Sequence, residues 1–264
     1  PVIQGYDLSE SSPVIASNAL HAYKFGSAGR LVKYLDLKIC DNDGNELPAG
    51  EKGEIVNRGG NVMKGYWKTE KSTAETIIDG WLHTGDMGYM DPDGFLIVLG
   101  RFKSLLISND GEKFSPEGIE EALVDQSVYI DQCMLYNNQN PYTIGFIVPN
   151  MAAINRALTH KGIALGSDES LREAVLLIQH EIDAYKTGGK HQGMFPERWL
   201  PTTFVVLPET FNEQNHLLNS TMKMVRGKII EYFAKQLEFV YTPEAKNSMN
   251  SVNFESFKSL MNKS

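Results

Sequence analysis

Cysteine is scarce in this sequence, which has only Cys40 and Cys133 among its 264 residues. The two lie far apart and form no Cys-x-x-Cys pair, which argues against a disulfide framework and against a thiolate zinc site. A low cysteine content is typical of proteins in a reducing compartment. We therefore expect a cytoplasmic protein, and leave open whether it associates peripherally with a membrane.

Positive charge and long apolar runs are also in short supply. The chain has 25 Lys and Arg against 33 Asp and Glu, a formal net charge of −8. Nucleic-acid binding relies on clustered cations, so we expect no nucleic-acid partner. The longest apolar run, residues 95–99, has the length of a strand and is far short of the roughly 18 to 20 residues of a membrane-spanning helix. No transmembrane segment is expected.

A hydrophobic content of 42% is enough for packed cores. The chain begins at Pro1 without an initiator Met and enters a motif-like stretch at once. This beginning suggests a piece of a longer polypeptide.

The first hundred residues have mainly β patterns. Polar and apolar residues alternate over residues 33–40, and residues 54–57 have the pattern of a second short strand. Residues 91–94, Asp-Pro-Asp-Gly, predict a turn between strands at 87–90 and 95–99. These features predict a small β-barrel-like subdomain.

After residue 100, helical patterns alternate with short apolar strands. Ser115 and Pro116 predict a helix start, and the spacing of apolar residues predicts further helices from about residue 170 and over 222–239. Residues 133–136, 143–148 and 203–207 predict strands, and the tail after 243 a weakly packed terminus or short helix. We expect an α+β fold with two domains, residues 1–100 and 101–264, the second having a short sheet flanked by helices.

Three short segments have side chains suited to a nucleotide. Residues 4–11 offer a hydroxyl, a carboxylate and an aromatic ring, which fit a phosphate with Mg²⁺ and a base, although an ordinary loop is the alternative. Asp86 follows Gly85 and could accept both ribose hydroxyls, or simply cap its own turn. Arg101 and Lys103 could contact ribose or phosphate oxygens, or lie solvated at the surface.

The order and spacing of these segments resemble the adenylate-forming superfamily of acyl-CoA synthetases, peptide-synthetase adenylation domains and luciferases. The matching segments are QGYDLSE at 4–10, GEI at 53–55 with MKGYW at 63–67, GWLHTGDMG at 80–88, DGF at 93–95, GRFK at 100–103 and GEKFSPEGIE at 111–120. Two positions depart from the family pattern, since Asp7 replaces a usual Gly and Ser9 a commoner Thr.

The long insertion between residues 149 and 201, together with LLNSTMK at 217–223, resembles the long-chain fatty acyl-CoA synthetase branch. Two alternatives remain open. One is an adenylating enzyme for another carboxylic acid, aryl or amino acid. The other is a non-catalytic binding module that retains the fold.

The resemblance implies a two-step reaction in which a fatty acid and ATP form an acyl-adenylate, from which the thiol of CoA then displaces AMP. It assigns ATP, Mg²⁺ and CoA as cofactors or substrates. The roles it implies in the segment 4–10 are nucleotide contact by Gly5 and adenine contact by Tyr6, α-phosphate contact by Ser9 and Mg²⁺ binding by Glu10.

The remaining implied roles lie further along the chain. Asp86 would bind the ribose with Arg101 nearby, Lys103 would be a hinge, Gly111 would face the CoA channel, and Lys223 would be the catalytic lysine, placed near the N-terminus of the last predicted helix. The family's phosphate loop and most of its acyl pocket have no counterpart in the sequence, so the partner we expect is an N-terminal domain of the same polypeptide. We therefore expect no adenylation by the chain alone, and pyrophosphate exchange by it would contradict this.

Overall fold

The structure is a computed structural model that describes residues 2–41 and 43–262. The chain divides into two compact units, Pro1–Leu105 and Leu106–Ser264. Small sheets and helices occur together, which confirms the predicted α+β class. In the described ranges, no helix combines the length and the apolar character needed to cross a membrane.

The first unit is mainly β, as the alternating sequence pattern predicts. Its strands are β1 (Gly5–Asp7), β2 (Val14–Ser17), β3 (Arg30–Leu31), β4 (Leu35–Cys40), β5 (Gly53–Gly59), β6 (Ile77–Ile78), β7 (Trp81–Met90) and β8 (Leu96–Arg101), and its one α-helix in the described part is α1 (Glu70–Thr76). Short 3₁₀ turns cover Ser9–Ser11 and Phe102–Ser104.

Two antiparallel sheets build this unit. Strands β1, β2 and β3 form one of them, and the other has the order β4-β5-β7-β6 with β8 also paired to β7. The second sheet is open among the described residues, so the barrel-like closure that we predicted is wrong. The edge strand β4 pairs with β5, whereas β6 and β8 pair with β7, and no pairing among the described strands joins these two edges. The shared core includes the fully buried side chains of Ile15, Ile55 and Leu96.

The second unit alternates helices and strands. Its elements are β9 (Leu106–Ile107), β10 (Lys113–Phe114), α2 (Glu117–Asp125), β11 (Ile130–Tyr136), β12 (Ile144–Pro149), α3 (Met151–His160), α4 (Asp168–Asp183), β13 (Thr203–Val206), α5 (Arg226–Tyr232), α6 (Ala234–Val240) and α7 (Ser251–Met261). The helix predicted at Ser115 and Pro116 is α2, which begins at Glu117. The predicted short final helix is α7.

A three-stranded sheet lies at the centre of this unit, with β11 antiparallel and β13 parallel to the middle strand β12. Alternate side chains on these strands enter two separate cores. Ile147 packs with the apolar faces of α2, α3, α4 and α7, whereas Phe146 and Val148 pack with α5 and α6. The predicted short sheet flanked by helices is therefore confirmed, and every residue of β12 is buried.

The helix predicted over residues 222–239 is wrong at its start. Residues 217–225 form a small loop closed by a bridge between Leu218 and Met224, and α5 begins only at Arg226. The Oδ1 atom of Asn219 accepts hydrogen bonds from the backbone N–H groups of Thr221 and Lys223, at 3.0 and 2.9 Å. Hydrogen bonds between an asparagine side chain and nearby backbone groups compete with helix formation. The predicted helix is also interrupted at Phe233, where α5 gives way to α6.

Candidate active site

A buried carboxylate links the two sheets of the first unit. The hydroxyl of Tyr6 on β1 donates a hydrogen bond of 2.5 Å to Oδ2 of Asp86 on β7. Arg101 lies opposite Asp86 in the β7–β8 register, and its Nε is 3.6 Å from Oδ1. Asp86 is 6% exposed, whereas most of the Arg101 side chain is open to solvent. Burial, followed by the bond to Asp86, raises the pKa of Tyr6, so this phenol stays protonated and donates.

The part of β7 before Asp86 lies at an irregularity in the β5–β7 register and is held by neighbours on β5. Glu54 accepts the backbone N–H of Gly85 at 3.0 Å, and its other oxygen lies 2.8 Å from Nδ1 of His83. Thr84 donates its hydroxyl to the carbonyl of Ile55 at 2.6 Å. Gly85 has a φ of +70°, a conformation in which glycine avoids the strain of a side chain. These contacts set the direction in which the next residue, Asp86, projects.

Glu54 and Thr84 are site-supporting residues that the sequence reasoning missed. Both belong to quoted motif segments, but each was treated only as part of a pattern. A threonine two residues before a carboxylate was the available signal, because its hydroxyl accepts the Asp86 N–H at 3.1 Å in a local turn.

A second carboxylate, Glu10, lies in the 3₁₀ turn Ser9–Ser11. Its Oε1 accepts a 2.8 Å hydrogen bond from the hydroxyl of Tyr66, and its carbonyl accepts the N–H of Met63 at 2.8 Å. Burial, and then Glu10, raise the pKa of Tyr66. Tyr66 is a further partner that the sequence reasoning did not identify. The segment around residues 61–66 therefore positions the turn that carries Glu10.

The Tyr6–Asp86 and Glu10–Tyr66 pairs lie in one electrostatic neighbourhood. The positive charge of Arg101 lowers the pKa of Tyr6 and of Tyr66, against the larger effect of burial at both. Gly5 lies on β1 beside Tyr6, and Ser9 is exposed in the turn beside Glu10. The structure thus brings Tyr6, Asp86 and Arg101 into contact, and Gly5 and Ser9 adjoin Tyr6 and Glu10 along the chain. The side chain of Lys103 lies outside the described part of the chain.

The two carboxylates differ in what they could bind. Asp86 is nearly buried with a phenol on one oxygen, which suits hydrogen-bonded hydroxyls of a sugar. Glu10 is partly exposed, and within residues 2–41 and 43–262 no group of three or more His, Cys, Asp and Glu is arranged to hold a metal. Mg²⁺ commonly takes one or two protein carboxylates and completes its shell with phosphate oxygens and water. A single carboxylate at Glu10 fits that mode.

Two predicted residues lie in the second unit. Lys223 is exposed in the loop 217–225, three residues before α5 begins at Arg226, and so lies outside the helix that was predicted to begin at residue 222. Gly111, with a φ of +85°, forms the tight turn between β9 and β10. The functional roles assigned to both residues stay predictions.

Comparison with known proteins yields a consistent family. Residues 1–67 match the family model described as AMP-binding enzyme. The long-chain-fatty-acid–CoA ligase FadD15 of Mycobacterium bovis is 29% identical over 258 residues, covering 92% of this chain and 38% of that protein. A 2-succinylbenzoate–CoA ligase of Bacillus cytotoxicus is 45% identical over 133 residues, covering 50% of this chain and 27% of that protein.

A solved structure shows the same likeness. The O-succinylbenzoate coenzyme A synthetase MenE of Bacillus subtilis in complex with AMP has 26% identity and a TM-score of 0.58, over 87% of this chain and 40% of that one. The chain spans only about a third of the length of the curated relatives that match nearly all of it. On the ordered motifs, the fold and these matches, the chain belongs to the adenylate-forming, AMP-binding superfamily.

Proposed function

We propose that this chain forms part of an ATP-dependent, AMP-forming CoA ligase whose substrate is a long-chain fatty acid. The observation that carries the adenylate-forming part of the proposal is the cluster of Tyr6, Asp86 and Arg101, together with the Glu10–Tyr66 pair of the same unit. The long-chain substrate rests on the resemblance of the insertion between residues 149 and 201. A scaffold without nucleotide chemistry would have no need of two carboxylates and a cation assembled in this way, which disfavours a non-catalytic module.

In the proposed first step, a carboxylate oxygen of the acid attacks the α-phosphorus of ATP. A bond to phosphorus forms, the bond to pyrophosphate breaks, and an acyl-adenylate results. Asp86 and Arg101 would bind the ribose, Gly5 and Tyr6 would lie next to the base, and Ser9 would contact the α-phosphate. A Mg²⁺ ion bound at Glu10 would supply charge neutralisation for the phosphates.

Lys223 would neutralise negative charge that develops as the acid attacks phosphorus, the kind of stabilisation that phosphoryl transfer depends on most. Because Lys223 belongs to the second unit, the proposal requires the two units to close over the nucleotide, with Lys103 as the hinge. In the second step the CoA thiol would attack the acyl carbon and release AMP, with Gly111 facing CoA.

The decisive test measures acyl-adenylate formation and thioester formation separately in the full-length enzyme. Lys223→Ala should abolish acyl-adenylate formation and leave thioester formation from supplied acyl-adenylate largely intact. Lys228→Ala, which removes an exposed lysine from α5, is the matched control and should leave both rates unchanged. Equal loss of both steps in Lys223→Ala would reject the assigned role.

A ligase for an aromatic acid is the second candidate. The 45% identity with a 2-succinylbenzoate–CoA ligase, over half of the chain, favours it, whereas the insertion between residues 149 and 201 favours the long-chain branch. Measuring CoA thioester formation with palmitate and with 2-succinylbenzoate under the same conditions separates the two. Turnover of the aromatic acid alone would refute the long-chain assignment.

A further inference from the structure

The Gly111 turn is a short hairpin with its own hydrogen-bond network. The N–H of Gly111 donates to the carbonyl of Ser108 at 2.9 Å, and the N–H of Ser108 donates to the carbonyl of Glu112 at 3.0 Å. Asp110 accepts the N–H of Glu112 at 3.1 Å. These bonds define the turn, but they are local to residues 108–112 and do not orient the hairpin on the rest of its unit.

Backbone hydrogen bonds of Ile107 with Asn137 and Gln139 attach the first strand of the hairpin to its unit, at 3.2 and 2.7 Å. A distant segment adds side-chain contacts that orient the turn. The carboxylate of Glu112 accepts two hydrogen bonds from Arg198, at 2.7 Å from Nε and 2.8 Å from Nη2, and a third from Nε1 of Trp199 at 3.0 Å. The ring of Trp199 also stacks on Phe114 of β10, with centroids 5.0 Å apart and planes 5° from parallel. Bidentate Arg–carboxylate pairs of this kind fix geometry as well as charge.

The residues that make these contacts lie in the insertion. Arg198 and Trp199 occupy the 3₁₀ turn Glu197–Trp199, in the long stretch between β12 and β13. The insertion therefore contacts the Gly111 hairpin directly and is more than a sequence marker of one branch. Arg198 also neutralises Glu112, the residue next to Gly111.

We propose that Arg198 and Trp199 are positioning residues for the thioester-forming step, acting through Glu112 on the hairpin that carries Gly111. This inference rests on the proposed function, in which the hairpin faces CoA. CoA carries several phosphate charges, so an un-neutralised carboxylate at Glu112 would repel it, and a hairpin without its side-chain links would be less well oriented. Both effects weaken the second step and leave the first, at the nucleotide cluster, unaffected.

The test measures the two half-reactions separately in the full-length enzyme. In Arg198→Ala, kcat/KM for CoA with supplied acyl-adenylate is expected to fall by about tenfold or more, while pyrophosphate exchange stays within about twofold. Trp199→Phe keeps an aromatic ring for stacking and loses the N–H donor, so its effect should be smaller and of the same kind. Arg172→Ala, which removes an exposed arginine of α4, is the matched control.

Rescue distinguishes charge and position from a general loss of structure. Glu112→Gln added to Arg198→Ala removes the unpaired carboxylate. The double variant should therefore have a lower KM for CoA than Arg198→Ala alone. Equal loss of both half-reactions, or an unchanged CoA step in Arg198→Ala, overturns the inference. Failure of the unmodified enzyme to form any thioester overturns the proposed function itself, and the inference with it.

Discussion

Arg226→Met is expected to destabilise the second unit strongly, because it leaves a buried carboxylate without its counter-charge. The side chains of Glu120 on α2 and Arg226 on α5 are 5% and 15% exposed, and Nη2 of Arg226 pairs with Oε2 of Glu120. The other oxygen of Glu120 accepts the N–H of Leu135 at 2.6 Å, and Nη1 of Arg226 donates to the carbonyl of Leu135 at 3.2 Å. Both charged side chains are thus hydrogen-bonded to the backbone of Leu135 on β11.

The magnitude follows from this burial. Removing one partner of a buried ion pair costs about 3–5 kcal/mol, chiefly because the remaining charge is uncompensated. In a Glu120→Gln background Arg226 is itself the uncompensated charge, so Arg226→Met removes that charge together with a hydrogen bond and should cost no more than about 1 kcal/mol, the net value of a hydrogen bond. A coupling energy of at least about 2 kcal/mol is therefore expected from the double-mutant cycle.

Hydrogen exchange of the β12 amides is a suitable assay, since every residue of this strand is buried and its exchange requires opening of the unit. Burial raises the pKa of Glu120, and Arg226 opposes that effect. Without Arg226 the pKa of Glu120 in the folded state rises further above its value in the unfolded state. The loss of stability caused by Arg226→Met should therefore grow as the pH rises and shrink as the pH falls. Equal costs in both backgrounds, within about 0.5 kcal/mol, would refute the reasoning.

Further predictions concern the interior of the first unit, the hairpin and the chain as a whole. Asn57 is fully buried, and neither polar atom of its side chain has a hydrogen-bond partner within the described structure. Asn57→Val should therefore raise the free energy of unfolding, measured in urea, by about 1–3 kcal/mol. A loss of stability would contradict this. Hydrogen bonds from Arg198 and Trp199 lower the pKa of Glu112, so exchange protection of the hairpin should be intact at neutral pH and fall as the pH drops below about 4.5. The hydroxyl of Ser108 also lowers the pKa of Asp110 in the same hairpin, so Glu112→Gln should remove part of this pH dependence and Glu112→Gln with Asp110→Asn nearly all of it. An unchanged pH dependence in Glu112→Gln would reject the assignment. The isolated chain should show no pyrophosphate exchange, which is readily measured with labelled pyrophosphate.

The strands of the central sheet and the helix α4 were predictable because their periodicity is set by burial. Residues 204–207 and 144–148 are apolar on both faces of the sheet, and Leu171, Val175 and Ile178 recur at helical spacing on one face of α4. The helix α3 was missed. Its buried residues are Ala153, Ile154 and Leu158, and its cap Asn150, which accepts the N–H of Ala153, resembles a turn residue.

The loop that carries Lys223 could not be predicted because two signals conflict in its sequence. Val225, Ile229 and Phe233 recur at helical spacing, but Asn219 binds the backbone of the following residues, and Met222 adopts a φ of +60°. Local side-chain bonding overrides periodicity there. At the site, the motif segments identified Tyr6, Glu10 and Asp86. The pairings of Tyr6 with Asp86 and of Tyr66 with Glu10 depend on tertiary contacts between distant segments, which no sequence pattern specifies.

The hydrogen bond between Tyr6 and Asp86 bears on how tightly a sugar could be held. The carboxylate is already oriented, so a hydroxyl that binds it loses nothing to side-chain ordering. The same hydroxyl must, however, share or displace a phenol that already occupies one oxygen at 2.5 Å. The affinity contributed by this contact is therefore the difference between two hydrogen bonds, and selectivity for a vicinal diol would depend on whether its geometry improves on that of the tyrosine.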